Sequence, residues 1–467
     1  MNHFFSSLCS ISSIIVAIVC MVTLSGVYAY ASLLPIFFFI FLRSVVLTKN
    51  IWSCRPLTSY IITTMLWIRM VLLPLYGAVS GVYSDAGSSL ELENHFVGAL
   101  FLCIYDCVAV VITLFFFSTK NDQTARSYIT QGLYGNKDIY LVFVVFAFVV
   151  FFTVGRSMHL FDFIIKPIGE DLERAGDLVG GRELVVRQIA SFGLLFVFLL
   201  VVGWLKNKYD RTGASKYFQW SLICAVLFIA IIAGERRSSQ IYKAFASGYV
   251  LLSLYPSKGK KTVSFIGIAA LFVLAAMTVY KQFYGFMYSS YSEALQNASM
   301  SQGFSYNLMD AYFYGIDTIS KNIHYGQLMD VGVGHLFYDF FRNLFGLSFF
   351  IPGGRLLVSQ MYNSIIYSGD QLTGLLLSSV GYGYIFTGYS IAPLITVINV
   401  VMMLFFEKCL RKSKTIEWQY IWAFVFMRFG FGVLGSTPPL INLVTRFIVI
   451  NAIIIGFARL FKINLQK

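Results

Sequence analysis

The stretch HLFYDFFRN sets His335, Asp339 and Arg342 at spacings of four and three residues. On a helix those spacings put all three side chains on one face. An imidazole, a carboxylate and a guanidinium side by side could draw a proton from a hydroxyl and steady an anion. The solvated face of a helix lying on a surface would carry the same triplet, and the sequence leaves both readings open. Arginines also recur where apolar sequence surrounds them. IIAGERRSSQ places Glu235, Arg236 and Arg237 at the seam of two apolar runs, FVFMRFGF holds Arg428, LVTRFIV holds Arg446, and FFIPGGR ends on Arg355. An arginine at mid-membrane costs about 2.5–3.5 kcal/mol on insertion scales, so each such residue needs a reason to be there.

Some of those reasons are structural. Arg69 can pair with Asp106 in the next apolar run, Arg156 sits at a run's end as an interfacial anchor, and Arg43 can snorkel to the headgroups. Arg236 and Arg237 could serve a turn with Glu235 as partner. As a group, however, these cations outnumber the carboxylates available to neutralise them. The matching counter-ion is an anion in the plane of the membrane. Guanidinium suits phosphate through its bidentate fork, and a lipid-linked pyrophosphate meets both requirements.

The elements that must position these residues are apolar. Of 467 residues, 58% are hydrophobic and only 12% charged, with mean hydropathy +0.73; soluble domains carry about a quarter charged residues. Runs of bilayer-spanning length recur throughout, at 8–28, 30–47, 58–80, 96–118, 138–155, 188–205, 217–234, 238–256, 262–283, 390–407, 418–434 and 440–460. The first run lacks a basic leader and a small-residue cleavage site, and reads as a retained span. The net charge of +13 sits mostly in short loops, where the positive-inside rule accounts for it without nucleic acid. Basic loops alternate with acidic or mixed ones, which places both termini in the cytoplasm and the loop at 284–371 outside.

A further stretch, LTGLLLSSVGYGYIFT at 372–387, is short and rich in Ser and Gly. If it crossed, the basic loop of Lys408, Arg411, Lys412 and Lys414 would fall on the wrong side. It is therefore expected to be re-entrant or interfacial. The expected organisation is nine spans in 1–283, a large extracytoplasmic loop with the re-entrant segment in 284–389, and three spans in 390–467. The loop is too long for a plain connector and too aromatic for disorder. Its tyrosines, asparagines and glutamines suit sugars. It holds no cysteine, and the five histidines of the chain lack metal-ligand spacing.

These features together resemble the O-antigen polymerase family (Wzy type), which includes polymerases of enterobacterial common antigen. AGERRSSQ is similar to the family's Gly-x-Arg at a helix start, matching Arg236. YDFF followed by FIPGGR resembles its Asp-Phe element and Pro-Gly-Arg segment, matching Asp339 and Arg355. LTGLLLSSVGYGYIFTG resembles its Ser/Gly-rich stretch after the large loop, and LVTRFIV its Ser/Thr-Arg in the last span, matching Arg446. Where some members carry a further arginine, this chain reads GSTPPLIN; Arg428 is the substitute on hand.

The resemblance implies an all-α polytopic protein of about 12 transmembrane helices and GT-C-like architecture in the bacterial inner membrane, with its active site on the periplasmic face. It implies a glycosyltransferase without metal or cofactor, whose donor and acceptor are undecaprenyl-diphosphate-linked oligosaccharides. Membrane lipid and a chain-length regulator protein are the expected further partners, and nucleic acid is not. Arg236, Arg355 and Arg446, with Arg237 and Arg428 beside them, would bind the pyrophosphate, and Asp339 or His335 would deprotonate the acceptor hydroxyl. An O-antigen ligase would share the donor and the arginines. A lipid-linked oligosaccharide flippase is the rival of another class, although no half-to-half repeat is visible.

Overall fold

The computed structural model describes residues 2–47, 56–117, 132–155, 181–231, 238–285, 305–352, 354–366 and 377–464. Within these the chain is helical, and its single β feature is an isolated bridge between Ser378 and Gly435. The helices are α1 (Asn2–Thr23), α2 (Leu33–Leu47), α3 (Pro56–Trp67), α4 (Leu73–Val79), α5 (Leu90–Phe117), α6 (Lys137–Val150), α7 (Gly181–Thr212), α8 (Ser215–Ala230), α9 (Ser238–Leu254) and α10 (Gly259–Gly285). The loop region supplies α11 (Tyr306–Phe313), α12 (Ile316–Gln327), α13 (Val333–Asn343), α14 (Val358–Ile366) and α15 (Ser379–Thr387). The chain closes with α16 (Leu394–Lys412), α17 (Ile416–Phe431) and α18 (Thr437–Asn464).

This is a membrane protein. Among the described residues six helical segments are long and apolar enough to cross a bilayer: Phe5–Thr23, Gly26–Ser44, Pro56–Val79, Leu90–Phe117, Gln188–Thr212 and Thr437–Lys462. Each of the twelve apolar runs picked out above carries a helix. The Ser/Gly-rich stretch behaves differently, because its described part forms only the nine-residue α15. At 1.5 Å per residue that helix is about 14 Å long, half of what a span needs.

Compactness divides the described chain differently from chain order. One unit comprises Met1–Gln123, Phe304–Glu407 and Arg428–Arg446; the other comprises Thr124–Gly303, Lys408–Met427 and Phe447–Lys467. In the first unit α12 packs along α5 and against α15. Asp310 holds this layer in place: its carboxylate accepts from the Thr318 N–H (2.6 Å) and hydroxyl (2.7 Å) at the start of α12. Four backbone donors lack partners at every helix start, and a buried anion there also meets the positive end of the dipole. Gly315 permits this closeness, since a Cβ at that position would fall 2.0 Å from Asp310 Oδ1.

The same unit buries the expected pair of charges. Arg69 Nη1 lies 2.6 Å from Asp106 Oδ2, with 1% and 0% of the side chains exposed. Arg69 sits in a π-helical turn, Ile68–Leu72, that joins α3 to α4. Pro74 follows and offers no N–H to the carbonyl of Met70, a defect that a widened turn absorbs. On another side of the unit, Glu407 accepts from both the N–H (3.0 Å) and the hydroxyl (2.5 Å) of Thr58, capping α3.

The second unit is built on the α6–α7 and α7–α8 contacts, with Tyr140 stacked on Phe196 at 4.8 Å. Glu417 Oε1 accepts from the N–H groups of Tyr134 (2.6 Å) and Gly135 (3.3 Å) and from the Tyr140 hydroxyl (3.0 Å). Lys462 donates to the Leu133 carbonyl at 3.0 Å, and the Arg459 guanidinium stacks 4.0 Å above the Tyr134 ring. Lys462 and Arg459 thus hold the segment entering α6.

Candidate functional site

Five of the seven expected site residues, His335, Asp339, Arg355, Arg428 and Arg446, fall in the first unit. Arg236 and Arg237 lie outside the described residues, as do Glu235 and Arg156. The site is therefore built from the loop region and the turns it grips.

Helix α13 has two unlike faces. Leu336 and Phe340 pack into a cluster with Val358, Tyr362, Leu377 and Tyr382. Asp339 lies on that inward side and is only 2% exposed. Val333, Phe337 and Phe341 form the opposite stripe and are exposed. The solvated-face reading of the triplet fails on this point, since Asp339 faces in with Leu336 and Phe340, and the exposed stripe is apolar.

The polar residues of α13 hold a strap that runs from Leu344 to Leu357. The helix stops at Asn343, and Gly346 turns the chain in the left-handed region at φ 99°, where a side chain would be strained. Arg342 donates to the Ser348 carbonyl. The Tyr338 hydroxyl lies 3.1 Å from the Pro352 carbonyl and 3.0 Å from that of Arg355. His335 Nε2 lies 2.9 Å from the Leu356 carbonyl. A carbonyl can only accept, so Nε2 carries the proton and Nδ1 is the imidazole's basic atom. The Arg355 side chain, on the same strap, is exposed.

Asp339 is fixed from the other side. Its Oδ2 accepts the Tyr382 hydroxyl at 2.7 Å, while Oδ1 is buried without a well-formed hydrogen bond. Burial raises its pKa, offset in part by Tyr382, the Val358 backbone N–H and His335. A buried carboxylate with a raised pKa is a better proton acceptor than an ordinary one, as a general base requires. The raised value also fixes a sign. The folded protein holds this proton more tightly than the unfolded chain, so the contribution of Asp339 to stability is full below the ordinary carboxyl value of 3.8. It declines as pH rises through the raised folded value. Asp339→Asn is expected to remove that decline. Melting temperatures between pH 4 and 8 check this, and an unaltered slope would assign it to other groups.

Tyr382 is positioned by the Ser/Gly-rich motif, whose role here is structural. Ser378 caps α15 by accepting the Gly381 N–H (2.9 Å), and its own N–H (3.0 Å) and hydroxyl (2.7 Å) donate to Asn322 Oδ1. Asn322 in turn donates to the Tyr362 hydroxyl at 2.8 Å. Ser379 N–H donates to the Leu434 carbonyl at 2.7 Å, tying α15 to the turn that follows Arg428. Asn399 holds that turn through the carbonyls of Val433 and Gly435, at 3.0 and 2.9 Å. Asn322→Ala would strand two buried donors on Ser378, at about 1–3 kcal/mol each. A drop of several degrees in melting temperature is expected, and no drop would contradict the role given to Asn322.

Arg446 is linked to the strap through its neighbour: Thr445 Oγ1 accepts the Phe345 N–H at 3.2 Å. His335, Asp339 and the Arg355 segment thus form one hydrogen-bonded assembly, with Arg446 adjoining it and Arg428 at the turn gripped by α15. The motifs alone do not point to Tyr338, Tyr382 and Asn322, because their partners are distant in sequence or are backbone atoms. Lys243 is also absent from the sequence-level list. It is a half-buried lysine in the second unit whose Nζ donates to the Ile231 carbonyl at 3.0 Å, and its nearness in sequence to Arg236 and Arg237 is the signal that could have raised it. Among the described residues no three His, Cys, Asp or Glu side chains gather in a metal-binding arrangement. No family model matches the chain, and neither a curated protein nor a solved structure matches it.

Proposed function

We propose that the chain is a polysaccharide polymerase that moves a growing glycan from a polyprenyl diphosphate onto a lipid-linked repeat unit at the outer face of a bacterial inner membrane. In this reading all twelve apolar helices cross, α15 does not, and the strap faces the periplasm. One observation carries it: a buried carboxylate, Asp339, lies on the same helix that holds the exposed Arg355 strap. The hydroxyl oxygen of the acceptor attacks the anomeric carbon of the donor, and the bond from that carbon to the phosphate oxygen breaks. Lipid diphosphate leaves with the electron pair, and the hydroxyl proton passes to Asp339 or to His335 Nδ1. Arg355, Arg446 and Arg428 stabilise the charge growing on the leaving group; Arg236 and Arg237, which the sequence adds to them, lie outside the described residues. Guanidinium groups would here carry the charge that a divalent ion carries in many reactions with phosphate leaving groups.

The test is purified protein with one lipid-linked repeat unit as sole substrate, in EDTA. A ladder of glycans on lipid diphosphate is expected. No product until lipid A core is added would make the protein a ligase, and movement of intact substrate across vesicles without bond formation would make it a flippase.

A further inference from the structure

The outward stripe of α13 continues onto the strap. Phe349 and Phe350 are 77% and 85% exposed, beside the exposed Val333, Phe337 and Phe341. Such a patch in water marks an interaction surface, and two observations indicate what covers it. The first is depth. The Phe345 N–H is bonded to Thr445, and the Phe345 ring lies against Phe349 with centroids 5.9 Å apart. Thr445 belongs to Thr437–Lys462, a segment of 26 residues apolar enough to cross a bilayer. At 1.5 Å per residue Thr445 is about 12 Å in from the Thr437 end of a helix about 39 Å long. Centred on a core about 30 Å thick, that helix has Thr445 in the core's outer third. The strap is thus fastened at the level of acyl chains.

The second observation is charge. The exposed Arg355 closes the strap that carries Phe349 and Phe350, as cations flank the phenylalanines of helices that lie in a lipid interface.

We infer that α13 and the strap form an interfacial foot, with Phe337, Phe341, Phe349 and Phe350 in the acyl region of the leaflet at the Thr437 end and Arg355 at its phosphates. The foot is independent of the glycan chemistry proposed above. It also gives Arg355 a fixed height, the plane in which any lipid phosphate is presented.

The experiment uses the full chain in nanodiscs of mixed phosphatidylethanolamine and phosphatidylglycerol, with a benzophenone amino acid replacing Phe337 or Phe350. Phe457 is the lipid-facing control and exposed Asp330 the aqueous one. Light should yield phospholipid adducts at 337 and 350 within about threefold of those at 457, and at least about tenfold above those at 330, as an apolar face sunk below the headgroups requires. Crosslinks to a second copy of the chain, or adducts no higher than at 330, would overturn the inference. Hydroxyl-radical labelling of the unsubstituted protein covers the case in which the variants do not fold. Phe349 and Phe350 should be protected as Phe457 is, and oxidation as fast as in the unfolded chain would overturn it equally.

Discussion

Arg69→Met is expected to cost the folded protein about 3–5 kcal/mol, because it strands the Asp106 carboxylate in an interior it cannot leave. Both partners are enclosed, at 1% and 0% exposure, and 2.6 Å apart. Neither charge can reach water by a rotamer change. The expected result is a large fall in melting temperature and in the amount of protein recovered from membranes. Asp106→Leu should do the same, leaving the guanidinium alone. The double variant tests whether the pair is structural. Arg69→Met with Asp106→Leu removes both charges, and replacing a buried pair by apolar groups of similar size is often close to neutral. Stability should return largely, and any activity with it. A double variant that folds but stays inactive would make the pair part of the mechanism.

Arg355→Ala is the second large effect, and its signature is the reverse. The side chain is exposed, so stability should move by less than about 0.5 kcal/mol. Polymer formation should fall by about 10²–10³-fold, the scale on which one donor to a developing oxyanion acts. Arg355→Lys keeps the charge but loses the planar fork that meets two phosphate oxygens together, and it should remain impaired. Wild-type chain length and rate in the alanine variant would remove Arg355 from the clamp.

The two cases show which parts of this protein are legible in its sequence. The Arg69–Asp106 pair is legible because charges are scarce in apolar runs, and two of opposite sign in neighbouring runs have few other partners. The helical period of HLFYDFFRN is legible too, and it does gather His335, Asp339 and Arg342 on one side of α13. Which side faces inward is not legible. In a soluble protein Phe337 and Phe341 would turn in with Phe340, and only the anchoring of the strap to Thr445 and of Asp339 to Tyr382 shows that they turn out. The Ser/Gly-rich motif can be read as too short to cross. Its hydrogen bonds to Asn322 and to the Leu434 carbonyl join residues 56 and 55 positions apart, and no local spacing predicts such pairs.

The central claim is that this surface grips a lipid diphosphate, and binding tests it without requiring turnover. Full-length protein in nanodiscs is titrated with undecaprenyl diphosphate in EDTA, alongside Arg355→Ala and undecaprenyl monophosphate. The account predicts saturable binding of the diphosphate, weakened at least about tenfold both by the substitution and by loss of one phosphate, in keeping with charge-assisted bidentate contacts. Equal affinity for both lipids, or an affinity unchanged by Arg355→Ala, would contradict it.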